Sequence, residues 1–579
     1  MPDPTSPTPS LSPSRRKLLA TAPAIAAGVA TMSILNDDTT ANAAAQDGDA
    51  IDLDAAGDLV GRKYTDAEKQ LMESGLRQTR DALPRLRKRD LSPNLEPALI
   101  FDPVLPGTDR PGGNIVQPRL EKAPDYDGNI ESLAFASVAT QAALLAAGKI
   151  TSVELTKMYL ARLKEHGPKL NCVITLTEEL ALKQAEAADN RRRDRSVKSP
   201  LLGIPYGAKD LLATEGIPTT FGVSPFKDQI FDENATVVDR LEKAGAVLLG
   251  KLSLGELAMD DTWFGGQTKN PWNLEQGSSG SSAGSCAATA AGLVSFAIGS
   301  ETLGSIVSPS VRCGTVGLRP TFGRVPRTGA LALCRTMDKL GPICRRAHDT
   351  AYVLAAIAGP DDRDPTCHEA GFDFDAITSG DLKVGIDMTA WASIDRLRDA
   401  KPIYERAREI ATDLFGELVE VEMPSDPLLA ATAIGTVEVE SAESLTELIE
   451  ADQLKDLVQQ DADNWPTIFR RAGLMPAVDY LRMQRVRRTL MQQMHAALAG
   501  VDAVLTIPRM GTNLLVTNLT GQPTILCRGG MRDTDNGPMP IQVEVVGQLF
   551  GEAAIIKAAT MFEARIDERD AWPEGFQPS

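Results

Sequence analysis

Between Gln276 and Arg312 the chain reads QGSSGSSAGSCAATAAGLVSFAIGSETLGSIVSPSVR, and small residues dominate its first half. No other stretch restricts the fold as strongly. Residues this small let two backbones approach closely, and glycine-rich loops leave N–H groups free to hold an anion. A flexible glycine–serine linker would share the composition. The run from Ala287 to Ile298 argues against a linker, because it reads as a tight helix leading into a second Gly/Ser loop. The segment therefore belongs inside a packed body.

The surrounding text sets the class of that body. From residue 201, short apolar runs alternate with helical patterns. Gly203–Ala208, Ala246–Leu249 and Leu382–Ile386 read as strands, Ala235–Ala244 as a helix, and residues 400–500 as mostly helical. Such alternation implies an α/β fold with a largely parallel sheet. Upstream, Thr151-Ser152-Val153-Glu154 forms a capping box. The helix it opens is expected to run to about His166 and stop at Gly167-Pro168. A second helix spans about Glu178–Asn190, and the basic run Arg191–Arg195 reads as a solvated loop. Asn270–Gly277 reads as turn-like. A length of 579 residues would allow several domains. No linker or internal repeat interrupts the text after residue 130, so residues 131–570 form one catalytic domain. Residues 44–130 form an appendage, with a helical pattern from Thr65 to about Arg89 and Pro/Asn/Gly-rich text through Gly113.

The first 43 residues read as an address. Ser14-Arg15-Arg16-Lys17-Leu18-Leu19 is followed by an apolar stretch, Ala20–Leu35, and a small-x-small pattern at Ala41-Asn42-Ala43. This order is that of a cleavable export signal, and the paired arginines point to the twin-arginine route. The expected destination is the periplasm or the outside of the cell, with no stable membrane insertion after the signal is removed. An uncleaved signal would leave an N-terminal anchor. Sixty basic against 78 acidic residues give a net charge of -18, which argues against nucleic acid as a partner. Seven widely spaced cysteines without a CxxC pair fit neither a disulfide scaffold nor a zinc site.

Three nucleophile arrangements fit the residues. Gly280-Ser281-Ser282-Ala283-Gly284 matches a serine elbow, which needs a strand before it and an Asp…His pair after it. The chain has only four histidines, and His348, His368 and His495 follow without supporting context. Ser224-Pro225-Phe226-Lys227 matches a Ser-x-x-Lys dyad, without the second motif that should accompany it. The third arrangement is a Ser–Ser–Lys relay.

The third is where a resemblance enters. Gly203-Ile204-Pro205-Tyr206-Gly207-Ala208-Lys209-Asp210, Ser279–Ser285, and the block from Gly299 through Gly317–Val325 resemble, in order, the signature segments of the amidase signature family. The likeness extends from about residue 130 to 565 and includes Asn270-Pro271-Trp272-Asn273 and Asn518–Pro523. It implies the family's α/β fold, a large, mostly parallel mixed sheet covered by helices on both faces. It also implies hydrolysis of a carboxylic amide through an acyl-enzyme, without cofactor or metal. Lys209 would be the base, Ser281 the bridge and Ser305 the nucleophile. The family separates bridge and nucleophile by 24 positions, which selects Ser281 over Ser278. Thr302, Leu303, Gly304 and Ser305 would supply the oxyanion hole, with Asp210, Ser282 and Glu301 as supporting residues.

Two departures from the family matter. Leu303 stands where glycine is usual, so a positive φ there would be strained. Glu301 replaces the usual aspartate. Many members carry arginine two or three positions after the nucleophile, whereas Val307 and Ser308 stand here, which suits a carboxylate-bearing substrate poorly. Arg312 lies nearby, with Trp263 and Phe264 as pocket or core residues. The leading expectation is an exported amidase acting on a small-molecule amide, with a homodimer implied by the family. The alternatives are the glutamine-hydrolysing component of an amidotransferase, which donates ammonia to a partner, and an inactive binding protein on the same fold.

Overall fold

The computed structural model describes residues 51–87, 99–194, 199–378, 380 and 382–578. The export-signal text and Arg195 lie outside the described residues. The chain divides at Leu83–Pro84 into two compact units. In the first, α1 (Leu53–Leu59) starts at Asp52, whose carboxylate accepts from the N–H groups of Asp54 and Ala55. Helix α2 (Asp66–Arg87) begins in the same unit, where Glu68 accepts from the Thr65 N–H at 2.7 Å.

The second unit is built on one eleven-stranded sheet. In chain order its strands are β1 (Val173–Leu176), β2 (Pro205–Lys209), β3 (Val247–Leu252), β4 (Phe296–Glu301), β5 (Val316–Arg319), β6 (Lys339–Cys344), β7 (Val384–Asp387), β8 (Val419–Val421), β9 (Ala503–Thr506), β10 (Thr524–Thr534) and β11 (Gly537–Gly547). Their spatial order is β1-β3-β2-β4-β6-β5-β10-β11-β9-β7-β8. Parallel pairing forms two blocks, β3–β2–β4 and β9–β7–β8. The remaining neighbours run antiparallel. Parallel strands need a crossover, and helices supply it. The helix α6 (Thr236–Ala244) leads from β2 back to β3, and the helix Lys401–Phe415 leads from β7 to β8. The antiparallel pair β10–β11 needs only the Asp535-Asn536 turn.

Several boundaries differ from the sequence reading, each for a local reason. The helix α3 (Val138–Ala146) precedes α4 (Ser152–Leu170), which carries both halves of the expected capping box at Thr151 and Glu154. It does not stop at His166 but passes through Gly167-Pro168 to a left-handed Asn171 (φ 50°). A proline in the last turn forfeits few bonds, and the left-handed residue closes the helix after it. The helix α5 (Glu178–Arg193) absorbs Arg191–Arg193, which were expected in a loop. Cations suit a helix C-terminus, and Arg191 and Arg192 donate to the carbonyls of Lys243 and Leu202.

The expected helix Ala287–Ile298 is instead α7 (Ala283–Ala290) followed by β4. Gly292 (φ 65°) lies in the turn between them. A fully buried strand lacks alternation, so an apolar run such as Phe296–Ile298 is indistinguishable from helix by periodicity. Asn270–Gly277 forms a small hairpin, Lys269–Asn270 against Asn273–Gly277, apart from the main sheet. Residues 99–130, read as part of an appendage, lie along the second unit. Phe101 meets Phe322 edge-on at 5.1 Å, and the Tyr352 hydroxyl donates to the Arg119 carbonyl at 2.8 Å. Among the described residues no helix is long and apolar enough to cross a membrane.

Candidate active site

Because β2 and β4 are parallel neighbours, their C-terminal ends meet on one edge of the sheet, where ligands gather in α/β folds. Lys209 is the last residue of β2 and is fully buried. Its Nζ lies among three hydroxyls: Ser281 Oγ at 2.8 Å, Ser300 Oγ at 2.9 Å and Ser282 Oγ at 3.1 Å. Burial pushes the Lys209 ammonium down to about 7, against the pull of Cys286, Asp338 and Glu301. An amine with that value is substantially neutral near pH 7 and can accept a proton.

Ser281 and Ser282 lead into α7, and the Gly280–Ser281 peptide is cis. A side chain on Gly280 would place its Cβ 1.7 Å from the Asp260 carbonyl oxygen, so only glycine fits this crossing. Ser282 fastens the start of α7 to β4. Its hydroxyl donates to the Ser300 carbonyl at 3.0 Å and accepts from the Ser300 N–H at 3.1 Å. The Ser282 N–H donates to the Ser305 carbonyl at 3.1 Å, which draws Ser305 to the same edge. The structure thus joins Lys209 to Ser281 through side chains and Ser305 to this pair through backbone. Ser305 is half-buried, and its hydroxyl makes no hydrogen bond among the described residues. Ser278, the competing register, bonds instead to the carbonyl of Ser279.

The loop between β4 and α8 (Val307–Cys313) supplies donors. The strain anticipated at Leu303 does not arise, since Gly304 takes the left-handed conformation (φ 98°). The N–H groups of Leu303, Gly304 and Ser305 meet no acceptor among the described residues. Those of Ile306 and Val307 are taken by Glu301, each at 2.8 Å. The other Glu301 oxygen accepts from Arg319 at 2.6 Å and Asn518 at 2.8 Å. Burial alone would raise this carboxyl, but Arg319, Lys339 and the Val307 N–H hold it at about 2. Three unengaged N–H groups beside a serine hydroxyl can hold a developing oxyanion. The Thr302 hydroxyl is directed elsewhere, donating to Asp338 at 2.5 Å.

Asp210 is a correction. It does not support Lys209 but pairs with buried Lys251 at 2.9 Å and accepts from the Thr220 hydroxyl at 2.5 Å. Successive residues of a strand point to opposite faces, which turns Asp210 away from its neighbour. Trp263 is buried and packs on Phe264 at 4.8 Å, a core contact. Arg312 is half-buried, with no hydrogen bond or ion pair among the described residues. Neither competing nucleophile gains support. His348 and His368 face Asp349 and Asp102, and Ser224 lies in a short turn at Ser224–Phe226. The sequence reading missed Ser300 and Asp338. Ser300 could have been found from its place in the second Gly/Ser loop, beside Glu301. Asp338 could not, because the pairing of Lys339 with Glu301 in β6 and β4 brings it to the loop.

Comparison with known proteins adds a second line. Residues 154–514 match the family model described as Amidase. The glutamine-hydrolysing-type component of a glutamyl-tRNA(Gln) amidotransferase from Geobacter metallireducens is 35% identical over 462 residues, spanning 72% of this chain and 94% of that protein. The native peptide amidase from Stenotrophomonas maltophilia is 30% identical, spans 75% of this chain and 97% of its own, and superposes with a TM-score of 0.67. A bacterial aryl acylamidase, 21% identical, spans 76% of this chain and 98% of its own and shares the fold at a TM-score of 0.66.

Proposed function

Because the chain belongs to the amidase family and is an amide-hydrolysing enzyme, we propose that it cleaves amide C–N bonds through an acyl-enzyme on Ser305, activated by Ser281 and Lys209. The observation that carries this reading is the buried Lys209 amine 2.8 Å from the Ser281 hydroxyl. A serine hydroxyl needs a base to become a nucleophile. Ser305 attacks the amide carbonyl, and its proton passes through Ser281 to neutral Lys209. The N–H groups of Leu303, Gly304 and Ser305 hold the carbonyl oxygen as it becomes negative. The proton then returns along the relay to the leaving amine, and water releases the acid. Val307 and Ser308 place no cation after the nucleophile, which favours an uncharged acyl portion.

Likeness to the glutamyl-tRNA(Gln) amidotransferase component favours a second reading, in which glutamine is the substrate and ammonia passes to a partner. The export-signal text at residues 14–43 favours the first, because it would carry the enzyme out of the cell to work alone. One experiment separates them. Ammonia or amine release is measured for the purified chain over glutamine and a panel of primary and substituted amides, beside Lys209→Ala. The amidase reading expects turnover of a simple amide without partner, lost in the variant. Turnover confined to glutamine and raised by the other amidotransferase components would favour the second.

A further inference from the structure

The loop that carries the three unengaged N–H groups is held at both ends by carboxylates. At its exit, Glu301 accepts from the N–H groups of Ile306 and Val307. At its entrance, Asp338 does a different task with its two oxygens. One accepts from the Thr302 hydroxyl at 2.5 Å. The other accepts from the N–H groups of Leu333 and Cys334, each at 2.8 Å. Asp338 immediately precedes β6, and the Lys339–Glu301 register sets it opposite Thr302. It is 8% exposed, and with Ser300, Thr302, Leu211 and Leu333 it lines a cavity of about 30 Å³.

We propose that Asp338 is a positioning residue for the acyl-transfer step: through the Thr302 hydroxyl it fixes the direction of the Leu303–Ser305 N–H groups and locks them to the cavity wall at Leu333–Cys334. The inference rests on the reading of Ser305 as nucleophile. Its chemistry is specific. An ionised carboxylate accepts all three bonds at once, whereas an asparagine amide has only one accepting oxygen. Donors aimed in advance at the developing charge need no reorganisation during reaction. A free Thr302 would let the loop turn about Gly304 (φ 98°), which tolerates a wide range of backbone conformations. Asp338 touches no reacting atom, so its loss is expected to slow the step without removing the nucleophile.

The test uses the full chain and an alkyl fluorophosphonate. Ser305 Oγ forms the new O–P bond, the P–F bond breaks, fluoride leaves, and the hydroxyl proton passes to Lys209. The P=O oxygen occupies the place of the oxyanion. The rate of labelling at Ser305 is followed by peptide mass, well below the unfolding temperature of each variant. Thr302→Val and Asp338→Asn are each expected to slow labelling by about tenfold or more. The double variant is expected to be no slower than the singles, because both break one contact. Thr302→Ser, which keeps the hydroxyl, is expected to stay within about twofold of the parent. Parental labelling in Thr302→Val, or a Thr302→Ser as slow as Thr302→Val, would overturn the inference. Labelling that persists in Ser305→Ala would overturn the nucleophile reading beneath it.

Discussion

Lys209 shows how burial turns an ordinary side chain into a reagent. Its nearest partners are three hydroxyls and no carboxylate, so nothing close by repays the cost of a buried ammonium. With the amine brought down to about 7, the base is disabled below that value and free above it. The ratio kcat/KM is therefore expected to rise with pH through a midpoint near 7 and then level off. A profile flat from pH 5 to 9 would exclude Lys209 as the base. Lys209→Ala is expected to lose roughly 10²–10⁴ in rate with its fold intact by circular dichroism. Glu301 illustrates the opposite device, a buried carboxylate kept charged by Arg319. Arg319→Met would leave that charge unpaired, at a cost of about 3–5 kcal/mol in urea unfolding. A change below 1 kcal/mol would mean that the pair stabilises little.

At the level of elements, the start of α7 is set by a crossing of two backbones. Gly280→Ala would press a methyl group to 1.7 Å from the Asp260 carbonyl, and that oxygen belongs to backbone rather than to a flexible side chain. Ser281 must then move, and a displacement of about 1 Å costs on the order of 10² in rate. Thr151→Ala is the contrasting change. It removes the capping box of α4 for about 1 kcal/mol of stability, and it should leave turnover unchanged. The same contrast explains what could be read before the structure was known. The Thr151 cap is a local hydrogen-bond pattern within four residues, so the residues state it directly. Lys209, Ser281 and Ser305 were legible because a hydroxyl nucleophile in a chain poor in histidine needs another base, and ordered segments resembled a known family. Phe296–Ile298 was misread because burial on both faces erases alternation. The antiparallel pairs between the two parallel blocks, the Lys251–Asp210 pair and the reach of Asp338 to Thr302 depend on strand register. Register joins residues far apart in the chain, and no local pattern records it.

At the scale of the whole molecule, one sheet gathers the site from distant segments. β2 brings the lysine, the start of α7 brings two serines, and the loop after β4 brings the nucleophile with its donors. The net charge of -18 and the N-terminal text belong to the same scale. The reading of Arg15-Arg16 as an export signal predicts that lysine at both positions traps the protein inside a bacterium that carries a twin-arginine translocase. Cell fractionation checks this, and equal export of parent and variant would remove the signal reading. The central claim is that the acyl group is carried on Ser305. Its most direct measurement is an acid quench during turnover of the best amide substrate, followed by peptide mass mapping. The account predicts a mass increase equal to the acyl group on the peptide containing Ser305, absent from Ser305→Ala together with turnover. An acyl adduct on another residue, or undiminished turnover in Ser305→Ala, would contradict it.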